Sequence, residues 1–200
     1  MKACFYYFNK FFLLPILKIL FFEKVLGKEN VPKNGNFIIV SNHNSSLDHF
    51  LIGIAFQEKL RQIHFLGKRK GLNGILRIPL DWLAETLSFD PKKTKRETIL
   101  KKIETILKMG KILVIYPEGD TNRKKELLRG KTGVAEIFLK TKIPLLPVGI
   151  LKKGKIKWRV NIGKVISWES FKDLNDLQKI TDEIMKKISL LCEKSYPYGD

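Results

Sequence analysis

Phe37-Ile38-Ile39-Val40-Ser41-Asn42-His43-Asn44-Ser45-Ser46-Leu47-Asp48 passes from an unbroken apolar run into a polar turn and then into an apolar helix starting near Leu47. A short apolar run bounded by turn residues reads as a buried strand. A strand feeding a helix through a polar turn is the unit from which α/β domains are built. Working outward, further strands are expected at Ile63 to Leu66, Ile112 to Tyr116, Leu145 to Ile150 and Lys157 to Ile162, with Phe37 to Val40 as the first. Amphipathic segments lie between them. Ile99, Leu100, Ile103, Ile106 and Leu107 share one helical face, with Thr94 and Glu97 spaced as a capping box and Gly110 as the stop. A last helix is read from Leu174, Leu177, Ile180, Ile184, Ile188 and Leu191 and is expected to pack back on the sheet.

Upstream, residues 1–30 are dense in aromatic and aliphatic side chains, yet Asn9, Lys10, Lys18, Glu23 and Lys24 interrupt them, so no uninterrupted membrane-spanning length remains. No small-residue cleavage site follows the apolar core, which argues against a secretory signal, and Pro15 is expected to kink any helix midway. On a helical wheel Lys10, Lys18 and Lys24 fall within roughly a third of the circumference, the pattern of a helix lying in a bilayer surface. The plain alternative is an ordinary helix covering the core. The chain therefore divides into an N-terminal helical segment at the membrane interface, residues 1–30, and one compact domain, residues 31–200.

With 38 Lys and Arg against 20 Asp and Glu, the formal charge is +18, which points to an anionic surface or substrate. Nucleic acid and anionic lipid both qualify on charge, but no recognition-helix, zinc-finger or aromatic RNA-binding signature is visible, so no nucleic-acid partner is expected. Cys4 and Cys192 lie at opposite ends of the chain and suit a reducing, cytoplasmic compartment. Three histidines and two scattered cysteines offer no ligand spacing for zinc, so no metal site is expected.

Loop residues at the end of a buried strand are where α/β sheets place function. His43 and Asp48 are five apart, wrong for one helical face but right for a turn that folds the carboxylate back onto Nδ1 and leaves the other ring nitrogen to take a proton. Read plainly, Asp48 is a helix cap and His43 a satisfied turn histidine. A second apolar strand, Ile112-Leu113-Val114-Ile115-Tyr116, stops at Pro117 and opens into Glu118-Gly119-Asp120-Thr121-Asn122-Arg123. Gly119 permits close backbone approach to a ligand, and Arg123, Lys124, Lys125, Arg129 and Lys131 crowd the region, arginine being suited to grip phosphate. The plain alternative there is an edge loop with solvated charges. His49 and His64 read as structural.

Four blocks in this order resemble the glycerophospholipid acyltransferase family. They are Asn42-His43 followed after four residues by Asp48; Arg77-Ile78-Pro79 leading to Phe89-Asp90; Tyr116-Pro117-Glu118-Gly119; and Ile143-Pro144-Leu145-Leu146-Pro147-Val148. Two departures stand out: Asp120-Thr121-Asn122 displaces the arginine that usually follows Glu-Gly-Thr, and Asp90 precedes Pro91 instead of arginine. The resemblance implies an α/β fold with a mixed central sheet flanked by helices, and an acyltransferase catalytic domain over residues 31–200. It implies direct transfer of a fatty acyl group from a thioester, acyl-CoA or acyl carrier protein, to a lysophospholipid hydroxyl, without an acyl-enzyme, metal or redox cofactor. His43 would be the general base and Asp48 its orienting partner, while Glu118, Gly119 and Arg123 would position the acceptor phosphate, with Lys68, Arg77 and Lys131 as lesser candidates. The expected acceptor is 1-acylglycerol 3-phosphate and the expected location the cytoplasmic face of the membrane, peripheral or monotopic. Sister activities on glycerol 3-phosphate or another lysolipid share the blocks. An answer of a different class is a non-catalytic basic membrane-binding protein, which predicts no dependence on His43.

Overall fold

The structure, a computed structural model, describes residues 7–68, 85–90 and 93–199. Seven strands form one sheet: β1 (Phe22–Leu26), β2 (Ile38–Ser41), β3 (Ile63–Lys68), β4 (Glu85–Phe89), β5 (Ile112–Ile115), β6 (Leu145–Lys153) and β7 (Lys157–Ile162). Their spatial order is β1-β7-β6-β2-β5-β3-β4, and every neighbouring pair is parallel except the β6–β7 hairpin. The mixed sheet is therefore present, flanked by helices α1 (Leu14–Phe21), α2 (Asp48–Ala55), α3 (Arg96–Lys108), α4 (Gly133–Thr141) and α5 (Leu177–Cys192).

The period-two alternation of a strand splits the apolar residues into two cores. Phe37, Ile39, Ile112, Val114, Leu146 and Val148 point to the α1 and α2 side; Ile38, Val40, Leu113, Ile115 and Leu145 point to α3, α4 and α5. Because β2 is buried on both faces and bonded to a parallel partner on each edge, it has to be apolar throughout. Only where it leaves the sheet, at Ser41 and Asn42, does the chain turn polar. Helix α5 obeys the same logic: Ile180, Ile184 and Ile188 are fully buried along one stripe, and Asp176 caps its first turn by accepting from the Gln178 and Lys179 amides.

Two expectations are corrected. The N-terminal segment is not helical throughout: α1 ends at Phe21, and Phe22–Leu26 is an edge strand paired with β7, with Phe22 buried in the core. Lys24 thus lies on a strand, not on the helical face of Lys10 and Lys18. Pro15 stands in the first turn of α1 directly after a π-helical stretch, Asn9–Leu13, so the helical run from residue 7 to 21 changes its winding just ahead of the proline. The Thr94–Glu97 capping box does not form: α3 starts at Arg96 with Lys95 at its cap and no side-chain cap, because the Thr94 amide is turned back to the Asp90 carbonyl. Gly110 does follow the helix end in the left-handed conformation. Edge strand β4 was not expected at all. Among the described residues, no helix is long and apolar enough to cross a membrane.

Candidate active site

Adjacent parallel strands deliver their loops to the same edge of the sheet. Val40 is opposite Ile115 in the β2–β5 register, so three residues further along His43 comes opposite Glu118. The two motifs, 75 residues apart in sequence, meet there through a 3.0 Å hydrogen bond from the His43 amide to Glu118 Oε1.

The turn after β2 is held by a dense set of hydrogen bonds, with Asp48 Oδ1 the buried oxygen left without a partner among the described residues. Asn42 continues the ladder with its side chain, donating from Nδ2 to the Ile150 carbonyl (2.8 Å) and accepting the Ile150 amide at Oδ1 (2.7 Å). Asn44 Nδ2 donates to the same carbonyl at 2.9 Å. Asp48, fully buried at the start of α2, receives three donors on Oδ2: His43 Nδ1 at 2.8 Å, the Asn44 amide at 2.6 Å and the Ser45 amide at 2.8 Å. A buried carboxylate needs such donors to offset lost hydration. Since an ionised carboxylate only accepts, Nδ1 of His43 carries the proton and Nε2 is the basic nitrogen. The imidazole stacks on Tyr116 at 4.2 Å between centroids and 13° between planes, which fixes the second rotational freedom of the ring.

Beside this pair lies His49, its ring 5.6 Å from that of His43 and packed against Phe65 and Tyr116. Burial first, and the neighbouring His43 second, push His49 down from the usual histidine value to about 3. It is neutral at physiological pH and does not compete as a base. Burial also pushes the Tyr116 phenol well above its ordinary value, so it too stays protonated.

His43, Ser46 and His49 open onto a cavity of about 400 Å³ between the sheet edge, α3 and α4. Its walls are largely apolar, with Leu66, Phe89, Ile99, Ile103, Val134 and Ile137 among them. Besides His43, Ser46 and His49, its polar lining residues are Arg96, Asp120, Thr121, Lys131 and Glu136. A site with a general base, an apolar wall and cationic side chains suits a substrate with a reacting hydroxyl or carbonyl, a long apolar arm and an anionic group.

A family model described as Acyltransferase matches residues 23–151, more than half of the chain. The chain belongs to the acyltransferase family. It is 31% identical over 137 residues to a 1-acyl-sn-glycerol-3-phosphate acyltransferase of Saccharomyces cerevisiae, covering 62% of this chain and 41% of the relative. A Bacillus subtilis protein of the same name is 26% identical over 190 residues, covering 86% of this chain and 88% of its own length. The crystal structure of the 1-acyl-sn-glycerophosphate acyltransferase PlsC from Thermotoga maritima superposes with a TM-score of 0.64 at 26% identity, covering 93% of this chain and 77% of that one. This chain thus spans less than half of the yeast relative and most of the two bacterial ones.

Within this acyltransferase-family site the remaining residues read from sequence are distributed unevenly. Glu118 is turned inward: it is 1% exposed, with Oε1 on the His43 amide and Oε2 accepting from Asn122 Nδ2 (2.7 Å) and the Leu128 amide (2.9 Å). Both carboxylate oxygens of Glu118 are thus engaged within the two loops, and Glu118 is not among the residues that line the cavity. Gly119 has a φ of +72°, and a Cβ there would sit 2.5 Å from Lys131 Nζ. Only glycine both adopts this turn and lets the lysine lie across it. Lys131 lines the cavity and forms a 3.2 Å ion pair with Asp120. Arg123 is exposed and is not among the residues that line the cavity. Lys68 ends β3 directly after Gly67, a cavity-lining residue, while Arg77 with its Ile78-Pro79 block lies outside the described residues. Cys192 is buried and free, and Cys4 lies outside the described residues.

Three residues at the site were not singled out from sequence. Asn122, 3% exposed, donates its amide to the His43 carbonyl at 2.6 Å. Arg96 lines the cavity while paired with Glu136, joining α3 to α4. Lys194 reaches both motif loops from the far end of the chain. The only signal for Asn122 was its place inside a motif loop; nothing local marks Lys194.

Proposed function

We propose that this chain transfers a fatty acyl group from an acyl thioester to the free hydroxyl of 1-acylglycerol 3-phosphate, giving phosphatidic acid for phospholipid synthesis. The observation that carries it is the His43–Asp48 pair opening onto an apolar cavity with Lys131 beside it. His43 Nε2 takes the proton from the acceptor hydroxyl as the oxygen attacks the thioester carbonyl. The new C–O bond forms, the tetrahedral intermediate collapses with cleavage of C–S, and the imidazolium returns its proton to the departing sulfur. Asp48 holds the tautomer and stabilises the transient imidazolium, the division of labour of a serine triad with substrate oxygen in place of serine. Each step is proton transfer and acyl exchange, so no metal or redox cofactor is required. The apolar walls suit an acyl chain and Lys131 suits the acceptor phosphate.

The work belongs at an anionic membrane surface, on its cytoplasmic face. Leu14 is 2% exposed and tacks α1 to the core, but Phe11, Phe12, Ile16 and Ile19 are 53–74% exposed beside Lys10 and Lys18. Each large apolar side chain left in water forgoes about 1.5–3 kcal/mol, an outlay the fold itself never recovers, whereas a bilayer interface does. Insertion of these rings with lysines at the headgroups makes a peripheral or monotopic association.

Purified protein incubated with vesicles holding a panel of lysolipids, and separately with glycerol 3-phosphate, each with acyl-CoA or acyl carrier protein as donor, tests the reading by mass spectrometry. Phosphatidic acid from 1-acylglycerol 3-phosphate is expected. Product from another acceptor alone would move the activity to a sister reaction. Vesicle binding with no product from any pair would favour the non-catalytic reading.

A further inference from the structure

The matched family region ends at residue 151, yet the chain beyond α5 returns to the active site. Glu193 adopts the left-handed conformation with φ 55°, turning the backbone off the helix end, and its carboxylate is tied to Lys153 at 2.8 Å. Ser195 then bridges to Glu126, with its carbonyl accepting the Leu127 amide at 2.9 Å. The Tyr196 hydroxyl accepts from the Gly130 amide at 3.3 Å and donates to the Asp182 carboxylate. Between these anchors Lys194 Nζ donates to Asn44 Oδ1 at 2.6 Å and to the Asn122 carbonyl at 3.1 Å.

Both acceptors are one bond away from the catalytic pair. The Asn44 amide holds Asp48 Oδ2, and the Asn122 amide holds the His43 carbonyl while its side chain holds Glu118, which in turn holds the His43 amide. Apart from the Glu118–His43 bond and the Asn122–His43 bond, Lys194 is the one described side chain that grips both loops at once. Its half-buried ammonium strengthens each contact, since hydrogen bonds from an ionised donor are roughly twice as strong as neutral ones.

We propose that residues 193–199 form a strap that holds the two motif loops in register, and that Lys194 is its positioning residue, clamping Asn44 to Asn122 so that His43 and Asp48 keep their alignment. The strap touches no cavity-lining residue through Lys194, so it acts on catalysis through geometry alone. Misplacing a general base by a fraction of an ångström slows the chemical step without weakening ground-state binding.

The experiment compares the full-length protein with Lys194→Met and Lys194→Arg. The activity arm rests on the acyltransferase reading above; the exchange arm does not. In Lys194→Met, hydrogen–deuterium exchange is expected to accelerate about tenfold or more in peptides covering 42–48 and 118–128, with β2, β5 and β6 unchanged as the internal control for folding. The turnover number is expected to fall about tenfold to a hundredfold with the KM of either substrate moving little, and Lys194→Arg is expected to restore most of it. Unchanged exchange in both peptides would overturn the strap. Accelerated exchange with unaltered turnover would overturn the positioning role. If the wild type turns over no acceptor, the reaction assignment fails while the exchange arm still decides whether the strap exists.

Discussion

The turn after β2 and the loop after β5 leave neighbouring strands at the same sheet edge, yet they are built to opposite specifications. Between Asn42 and Asp48 the side chains of Asn42, Asn44 and Asp48 turn inward, to the Ile150 peptide and to the turn's own amides, while His43 and Ser46 face the cavity; Ser41, Asn42 and Asp48 have no exposure at all. From Glu118 to Lys131 the buried residues, Glu118, Asn122, Leu127 and Gly130, alternate with exposed ones that include Arg123, Lys124, Lys125 and Arg129. A base has to be held to a fraction of an ångström, whereas a contact to a phosphate works through long-range charge and tolerates a flexible arm. The first loop is therefore rigid throughout, and the second is a rigid hinge carrying loose cations.

The largest expected effect breaks the rigid side. His43→Ala removes the proton acceptor and is expected to cut turnover by about a hundredfold to ten-thousandfold, with the fold intact because the ring is a minor part of the core. Asp48→Asn keeps the size and one accepting oxygen but removes the charge that holds the tautomer and stabilises the imidazolium, so turnover should fall comparably and stability by about 1–3 kcal/mol. Steady-state kinetics with a thermal melt separates the two. Near-normal turnover by a folded His43→Ala variant would sink the mechanism.

A middle-sized effect sharpens the contrast on the loose side. Lys131 lines the cavity and Arg123 does not, so Lys131→Ala is expected to raise the acceptor KM about tenfold, with donor kinetics barely moved, and Arg123→Ala to change either by less. Side-by-side acceptor saturation curves decide it. A larger effect at Arg123 would mean that the loop swings inward on binding and that Asp120 releases Lys131 when it does.

How much of this was readable beforehand follows from where physical constraint is local. Strands β2, β5 and β6 came within a few residues of their observed limits, since buried strands are close to continuously apolar, and β3 and β7 came as near on shorter or alternating apolar runs. Edge strands are not under that constraint: β1 reads Phe-Glu-Lys-Val-Leu after an aromatic-rich helix, and β4 reads Glu-Thr-Leu-Ser-Phe, both too polar and short to announce themselves. The spacing of His43 and Asp48 foretold a turn folding carboxylate onto imidazole, and the observed 2.8 Å contact is that turn. Which way Glu118 and Arg123 face was not readable for one reason: sequence proximity to a ligand loop does not say which side chains turn inward. That depends on partners such as Asn122 and Leu128, which the local pattern does not reveal.

The smallest expected effect concerns the third aromatic ring of the rigid cluster. His49 contacts His43, Phe65 and Tyr116, yet its value of about 3 keeps it neutral at pH 7, so His49→Phe should leave turnover at neutral pH close to wild type. The consequence appears in stability instead. In the unfolded chain a histidine titrates near 6.5, so between pH 6.5 and 3 the unfolded state binds a proton that the folded state refuses. Stability therefore falls as pH drops through that window, by at most about 1.4 kcal/mol per pH unit from this one group, and below pH 3 the loss is complete. Replacing the ring with phenylalanine removes the titration and should flatten the decline. Urea denaturation of both proteins at several pH values between 7 and 4 measures it as a difference of slopes, in which shared contributions from other groups cancel. Parallel curves would show that His49 takes up its proton in the folded state as readily as in the unfolded one, so that the wall between the base and the core is open to water and the turn is less rigid than its hydrogen bonds imply.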